Sequence, residues 1–180
     1  MNMLKLSRMK KGFTLIELLV VVAIMGILTM ITVSQFTTAR QKAHDVQRKA
    51  DLSALRNALL MYYADYSVMP DSSPDGRVIV QDHAIAKVIN WGEEFSDSAA
   101  TPYVYMKVMP KENKSDFPSY YYEQLESGKG FALYAALENE VDEDCRKVDG
   151  NPDLFRFSKG GGLNNYCLVF TSPNVDPADL

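Results

Sequence analysis

The chain has 180 residues, of which 47% are hydrophobic and 23% charged, and its formal net charge at pH 7 is −4. Residues 50–180 contain 11 Lys and Arg against 21 Asp and Glu, so this part carries a net charge of about −10 and would repel nucleic acid. About 110 residues remain after an amino-terminal segment of 70, which excludes more than one ordinary domain there.

Residues 13–33 are predicted to form a membrane-spanning helix. These 21 residues contain no Lys, Arg, Asp, Asn or Gln, and such a helix covers roughly 31 Å, close to the hydrocarbon thickness of a bilayer. A cleaved secretory signal is disfavoured because its apolar core is shorter, about 7 to 15 residues. The residues before the span are basic, which favours a cytoplasmic amino terminus and a head on the outer side. They are Lys5, Arg8, Lys10 and Lys11.

Glu17 is the single charged residue in this apolar stretch. An ionised side chain at membrane depth costs about 2.5 to 3.5 kcal/mol, so such an acid indicates function once its partner is identified. A cut between Gly12 and Phe13 would supply a partner, because the new α-amino group would lie one helical turn from Glu17 or within reach in a second copy. The alternative is that Glu17 lies near the lipid headgroups, protonated or solvated, and has no role.

The run "KGFTLIELLVVVAIMGIL" resembles the processing and assembly segment of the type IV pilin superfamily, which includes pilins and the pseudopilins of type II secretion systems. The resemblance implies that a membrane peptidase removes residues 1–12 by cutting after Gly12, that Phe13 is then methylated, and that Glu17 is needed for assembly. The partners it implies are the prepilin peptidase, an assembly platform with its motor ATPase, other pseudopilins or minor pilins, and further copies of the chain.

The run "KADLSALRNALLMYYADYSVMP" is similar to the major pseudopilin branch of that superfamily. Two features depart from the family pattern. Ser34 stands where many filament-forming pilins have a helix-breaking proline, so any local unwinding would have to occur at Gly26. The turn "YSVMP" also lacks the Asn-Gly that is common there, so a surface pilin stays open beside a secretion pseudopilin.

An amphipathic helix is predicted to continue the span over residues 34–69. Apolar or small residues recur at spacings of three and four, and polar residues, Arg48 among them, fall between. The recurring positions are Phe36, Ala39, Ala43, Val46, Ala50, Ala54, Ala58 and Tyr62. The helix is expected to end near Tyr66, before the prolines of "MPDSSPDG". The tyrosines at 62, 63 and 66 are interpreted as core packing under a sheet.

Residues 70–180 are predicted to form one head. "DHAIAKVINWGEEF" is expected to be a short helix capped by Asp82, and "YVYMKVMPK" a strand that ends at Pro110. "YYYEQLESGKGFALYAALEN" predicts a β-hairpin around residues 126–130, and "YCLVF" predicts a third strand. The expected fold class is α+β, with a long amino-terminal helix packed against a small antiparallel sheet, as in pilins. Residues that this sheet would bury are Phe131, Leu133, Leu137 and Val169.

Cys145 and Cys167 are the only cysteines in the sequence. A head outside the cytoplasm predicts a disulfide between them, since oxidising compartments preserve such bonds. Closing a loop of about 22 residues contributes roughly 3 kcal/mol in the chain-entropy model. The loop is rich in glycine and polar residues, so a covalent tie would compensate for its small core.

The same loop contains a weak metal signal. "DGNPD" places Asp149, Asn151 and Asp153 at alternating positions, as at the start of a calcium loop. Leu154 stands where the turn glycine belongs, and no bidentate Glu follows. Calcium is therefore the one cofactor considered, and a solvated acidic surface is the alternative.

An enzyme is not expected from this sequence. The two histidines, His44 and His83, show no metal-ligand or triad spacing, and "SKGGGLNN" lacks the spacing of a nucleotide loop. The sequence predicts a structural subunit of a pilus-like filament, most like a type II secretion pseudopilin, anchored in the bacterial inner membrane. The alternatives are a pilin of a surface pilus serving adhesion, motility or DNA uptake, and a membrane-anchored binding protein that retains its leader.

Overall fold

The computed structural model describes residues 12–82, 85–97, 99, 101–115, 118–139, 142–145, 147–148, 151–155, 157–158 and 165–175. Contacts between residues divide the chain into two units, Met1–Arg40 and Gln41–Leu180. One α-helix, α1 (Leu15–Tyr66), contributes to both units. It is continuous through Gly26 and Ser34. Ser34, which stands where many pilins have a helix-breaking proline, therefore does not interrupt the helix.

In the first unit, α1 displays apolar side chains to its surroundings. Every described side chain between Phe13 and Met30 is exposed, including the leucines and valines. This part of α1 is long and apolar enough to cross a membrane by length and composition, and none of it is buried within the chain. A helix that is apolar all round needs lipid or other protein as its surroundings.

The second unit contains twelve strands among the described residues, all short and paired antiparallel. The strands are β1 (Asp71–Ser72), β2 (Val78–Asp82), β3 (Ile85–Ile89), β4 (Phe95–Ser96), β5 (Val104–Met106), β6 (Tyr121–Leu125), β7 (Gly130–Ala135), β8 (Lys147–Val148), β9 (Asn151–Phe155), β10 (Phe157–Ser158), β11 (Asn165–Tyr166) and β12 (Leu168–Thr171). A helix followed by small antiparallel sheets confirms the predicted α+β class.

The central sheet has the strand order β12-β7-β6. Its β6–β7 hairpin is the one predicted from the sequence, with Tyr122 opposite Leu133 and a single 3₁₀ turn at Glu126–Gly128. Gly128 has a φ of 90°, a left-handed conformation that glycine adopts without strain. The third predicted strand is β12, which pairs Leu168 with Ala135.

The prediction of a short helix after Asp82 is wrong. The structure has a second hairpin there, in which β2 pairs with β3 and Ile79 lies opposite Val88. The β-branched residues of "VIV" and of "VI" favour strands, and each run provides the pairing partner of the other. Gly92 then turns the chain at a φ of 91°, and its amide donates to the carbonyl of Met109.

One face of α1 packs on these sheets. Leu52, Leu55 and Leu59 are fully buried, and Tyr62 joins them. Phe131, Leu133 and Leu137 are buried in the same core, as expected. Val169 is only partly buried and packs on the opposite sheet face with Tyr134, because alternate residues of β12 point to opposite sides.

The core interpretation holds for two of the three tyrosines at the end of α1. Tyr62 is buried, and Tyr63 is partly buried against the same core. Tyr66 is 43% exposed, although its ring stacks on Tyr62 with centroids 4.6 Å apart. Its hydroxyl donates to Asp97 at 3.0 Å, which places Tyr66 at the rim of the core.

We expect Leu55→Ala to lower the free energy of unfolding by about 2–5 kcal/mol, because a fully buried leucine would leave a cavity. Urea unfolding of the detergent-solubilised chain, followed by Trp91 fluorescence, measures this change. Asn57→Ala on an exposed face of the same helix is the control and should stay within about 0.5 kcal/mol of wild type. Equal losses in the two variants would contradict the assigned helix face.

Candidate functional site

The predicted processing site precedes the first turn of α1. Gly12 and Phe13 are exposed and lie before the helix begins at Leu15. The ring of Phe13 is 82% exposed, and no atom of the described residues would lie within 4 Å of a Cβ atom added at Gly12. Within the described part of the chain, no other residue therefore packs against this position.

Glu17 forms a capping box with Thr14. The backbone amide of Thr14 donates to Glu17 Oε2 at 2.9 Å, and the Thr14 hydroxyl donates to the same oxygen at 2.7 Å. In return, the Glu17 amide donates to Thr14 Oγ1 at 3.3 Å. This reciprocal arrangement satisfies amides at the start of a helix that have no intrahelical acceptor.

The capping box gives Glu17 a partner that the sequence argument did not consider. Sequence reasoning proposed a new α-amino group as the only nearby counter-charge and overlooked Thr14. The signal was present, because "TLIE" has the threonine-x-x-glutamate spacing of a capping box before an apolar run. In the uncut chain the carboxylate is thus hydrogen-bonded within its own helical turn and also lies at the favourable end of the helix dipole.

A buried charge cluster lies further along α1, within the second unit. Arg48 is 4% exposed and Asp45 2%. The guanidinium donates to Asp45 at 2.8 Å, to Glu112 at 2.7 Å and to Glu138 at 3.0 Å. We call Asp45, Arg48, Glu112 and Glu138 the Arg48 cluster. The predicted apolar face of the helix is wrong at this point, because Val46 is exposed and Arg48 faces inward.

The Arg48 cluster fastens α1 to two loops. The two carboxylate oxygens of Asp45 accept the backbone amides of Glu138 and Asn139, both at 2.8 Å. Glu138 is also paired with Lys114 at 3.0 Å and with His44 at 2.9 Å. A buried guanidinium surrounded by carboxylates retains its charge. Removing one member of such a cluster destabilises the fold more than replacing the whole cluster by apolar residues, because it leaves a buried charge without a partner.

Lys49 extends this fastening toward the disulfide. Its ammonium lies 2.6 Å from a carboxylate oxygen of Asp142 and 2.6 Å from one of Asp144. These acids lie three residues and one residue before Cys145, which is bonded to Cys167 with the two Cα atoms 4.5 Å apart. The disulfide expected from the sequence is therefore present, and its first cysteine lies beside the segment that α1 holds.

The suggested calcium ligands lie largely outside the described residues. Asp149 is not described, and neither are the side chains of Asn151 and Asp153. The backbone of the latter two belongs to β9, which pairs with β8. Over the part of the chain that the structure describes, no group of three His, Cys, Asp or Glu residues is placed to hold a metal ion.

Sequence comparison with known proteins finds one family model and several relatives. Residues 7–33 match the family model described as the prokaryotic N-terminal methylation motif. The chain is 32% identical over 101 residues to the type II secretion system core protein G of Klebsiella michiganensis, covering 48% of this chain and 71% of that protein. The chain belongs to the core protein G family.

Two further relatives match a shorter part of the chain. The core protein G of Vibrio cholerae is 43% identical over 67 residues, or 37% of this chain and 46% of that protein. The chain therefore spans about half the length of that relative. The type IV major pilin protein PilE1 of Neisseria gonorrhoeae is 33% identical over 73 residues, or 39% of this chain and 33% of the pilin. No solved structure matches the chain.

The Arg48 cluster makes folding stability dependent on pH. Burial opposes ionisation of Glu138, but hydrogen bonds from His44, Lys114 and Arg48 outweigh it and lower the pKa of Glu138 from 4.5 to about 2. Because the folded-state pKa is below the unfolded value, this stabilisation is complete above about pH 4.5 and is lost as the pH falls toward 2.

We expect Glu138→Gln to reduce the loss of stability between pH 4.5 and 2, since the variant has no carboxylate to protonate at this position. Urea unfolding at a series of pH values, with Trp91 fluorescence as the signal, measures the slope. Glu143→Gln, at an exposed acid of the neighbouring loop, is the control and should retain the wild-type slope. An unchanged slope in Glu138→Gln would show that this carboxylate does not carry the effect.

Proposed function

We propose that this core protein G family member is a structural, non-catalytic subunit of a pilus-like filament in a type II secretion system. The observation that carries the proposal is the coincidence of the methylation motif with exposed Gly12 and Phe13 and a capped Glu17. The relatives named as core protein G support the secretion assignment. Polymerisation from the inner membrane follows removal of residues 1–12.

Cleavage changes the electrostatics of the helix start. Cutting after Gly12 creates an ammonium group on Phe13, immediately before Thr14 of the capping box. An ammonium and a carboxylate that are transferred together out of water offset each other, whereas either one alone is strongly disfavoured in an apolar environment. Filament packing can therefore bury Glu17 beside the amine of a second copy, and the exposed apolar residues of the first unit supply the surrounding contacts.

The proposed topology places the head on the outer side of the inner membrane. The basic residues before the span favour retention of the amino terminus in the cytoplasm. The disulfide between Cys145 and Cys167 supports an oxidising location for the head. The proposed partners are the prepilin peptidase, the assembly platform with its motor ATPase, and other pseudopilins.

Nucleic acid is not among the proposed partners. The basic segment from Arg40 to Lys49 would be the most suitable part of the chain to contact phosphates. Within it, Arg48 is buried among carboxylates and Lys49 pairs with two aspartates. The remaining head is acidic, and an acidic surface repels a phosphate backbone.

A subunit of a surface pilus is the second candidate, because the gonococcal major pilin is also similar. The two functions share processing and assembly, so these steps do not distinguish them. The phenotype of a gene deletion does. Loss of protein secretion with unchanged surface pili supports the secretion pseudopilin. Loss of surface pili with unchanged secretion supports the pilin.

We expect Gly12→Asp to abolish processing, because the residue before the cleaved bond would gain a charged side chain. Intact-mass measurement of the membrane-extracted chain reports the leader and the amino-terminal methyl group together. Gly26→Ala, inside the helix, is the control and should still be cut. If Gly12→Asp yields the shorter form, the cleavage site lies elsewhere, and if wild type keeps residues 1–12, a membrane-anchored binding protein is favoured.

We expect Glu17→Ala to insert in the membrane normally and to lower filament incorporation at least ten-fold, since the amine of Phe13 would then lack its counter-charge. The ratio of sheared filaments to membrane-bound chain, determined by immunoblot, measures this effect. Glu126→Ala, at an exposed head carboxylate, should assemble like wild type. Normal assembly of Glu17→Ala would refute the pairing.

A further inference from the structure

An acidic cleft lies at the end of α1 in the second unit, away from the processing segment in sequence. It has a volume of about 570 Å³. We call it the tyrosine–aspartate cleft, and its main lining residues are Met61, Asp65, Tyr66, Asp97, Tyr103 and Tyr105. Its two carboxylates have hydroxyl and amide donors but no cationic partner within the described chain.

The charge in the cleft opposes the stability of its own helix. Asp65 lies in the last turn of α1, where carbonyl groups already create a negative potential, and no basic residue lies in that turn. Negative side chains at a helix carboxyl terminus are unfavourable, whereas cations are favoured there. A carboxylate that weakens its own helix and remains exposed is suited to a positively charged ligand.

The aromatic rings add a second preference for a cation. Tyr103 is 53% exposed, and its ring centroid lies 4.9 Å from that of Tyr105. The Tyr105 hydroxyl donates to Asp65 at 2.8 Å, so the ring and the carboxylate are held side by side. A guanidinium or ammonium group next to such rings gains cation–π attraction in addition to the ion pair.

Two exposed cations lie elsewhere on α1. Arg40 and Lys42 are the only residues with permanent charge between Glu17 and Asp45. Both are exposed, and neither has an ion-pair partner among the residues that the structure describes. They directly follow the apolar part of α1, and in a filament those apolar residues pack against other copies. Cations brought into such contacts need a carboxylate from a neighbouring copy.

We propose that the tyrosine–aspartate cleft of one copy receives the α1 segment carrying Arg40 and Lys42 from a second copy. The inference rests on the proposed filament and identifies one of its contacts. Charge complementarity argues for this occupant, because among the described residues the two carboxylates of the cleft lack a cation and the two cations of the segment lack a carboxylate. Exposed Asp65 makes the ion pair, and Tyr103 covers the cationic side chain.

Charge reversal tests the contact in cells that assemble the wild-type filament. Asp65→Lys should lower the sheared-filament fraction at least ten-fold, and combining it with Lys42→Glu or Arg40→Glu should restore assembly to within about three-fold of wild type. Glu126→Lys reverses an exposed acid outside the cleft and should have no effect. Thermal unfolding of each purified full chain verifies that the head remains folded.

A cysteine pair tests proximity without altering charge. Ala64→Cys combined with Gln41→Cys should give a covalent dimer in oxidised filaments, whereas each single variant should remain monomeric. The inference is overturned if Asp65→Lys assembles like Glu126→Lys, if neither exchange restores it, or if the cysteine pair links to another protein. If the variants give any of these results while the wild-type chain still forms filaments, the proposed contact fails and the proposed function stands. If the wild-type chain keeps its leader and never polymerises, the contact and the proposed function both fail.

Discussion

A carboxylate at the start of an apolar helix limits the surroundings in which the first unit of this chain can lie. Glu17 cannot lie in lipid or in a protein interior without a donor or a counter-charge. Before processing, Thr14 supplies both a hydroxyl and an amide donor. The proposed cleavage after Gly12 would make an ammonium group available at Phe13. The same carboxylate is therefore compatible with the proposed membrane-held precursor and with the proposed packed polymer, which would differ by one cut peptide bond.

A second constraint concerns the attachment of the head to its helix. Apolar burial at Leu52, Leu55 and Leu59 provides most of the driving force, since it removes large side chains from water. The Arg48 cluster adds geometric selectivity, because three carboxylates must meet around one guanidinium, and one of them, Asp45, must also accept two backbone amides. The helix therefore cannot slide by a turn without leaving buried charges unpaired.

These two constraints assign different tasks to different parts of one helix. The first part has exposed apolar residues and one capped acid, so it is suited to lipid and to other copies. The later part carries the buried leucines and the Arg48 cluster, so it is committed to its own head. Arg40 and Lys42 lie between these parts, and neither has an ion-pair partner among the described residues. A contact with the tyrosine–aspartate cleft of a second copy would satisfy them.

Local sequence signals were sufficient wherever one segment defines its own structure. The apolar start of α1, the β6–β7 hairpin and the end of α1 at Tyr66 all depend on neighbours within a few residues, so periodicity and turn chemistry predict them. The Gly12–Phe13 site was predicted in a different way, from the resemblance of its segment to a known family. The β2–β3 hairpin was missed because an isolated "AIAKVIN" run satisfies a helical pattern equally well, and its pairing with "VIVQD" is a tertiary fact. Arg48 was assigned to the outside for the same reason: two of its three carboxylate partners, Glu112 and Glu138, come from residues 64 and 90 positions away. Burial of a charge depends on partners that only the folded chain brings together, and helical spacing contains no information about them.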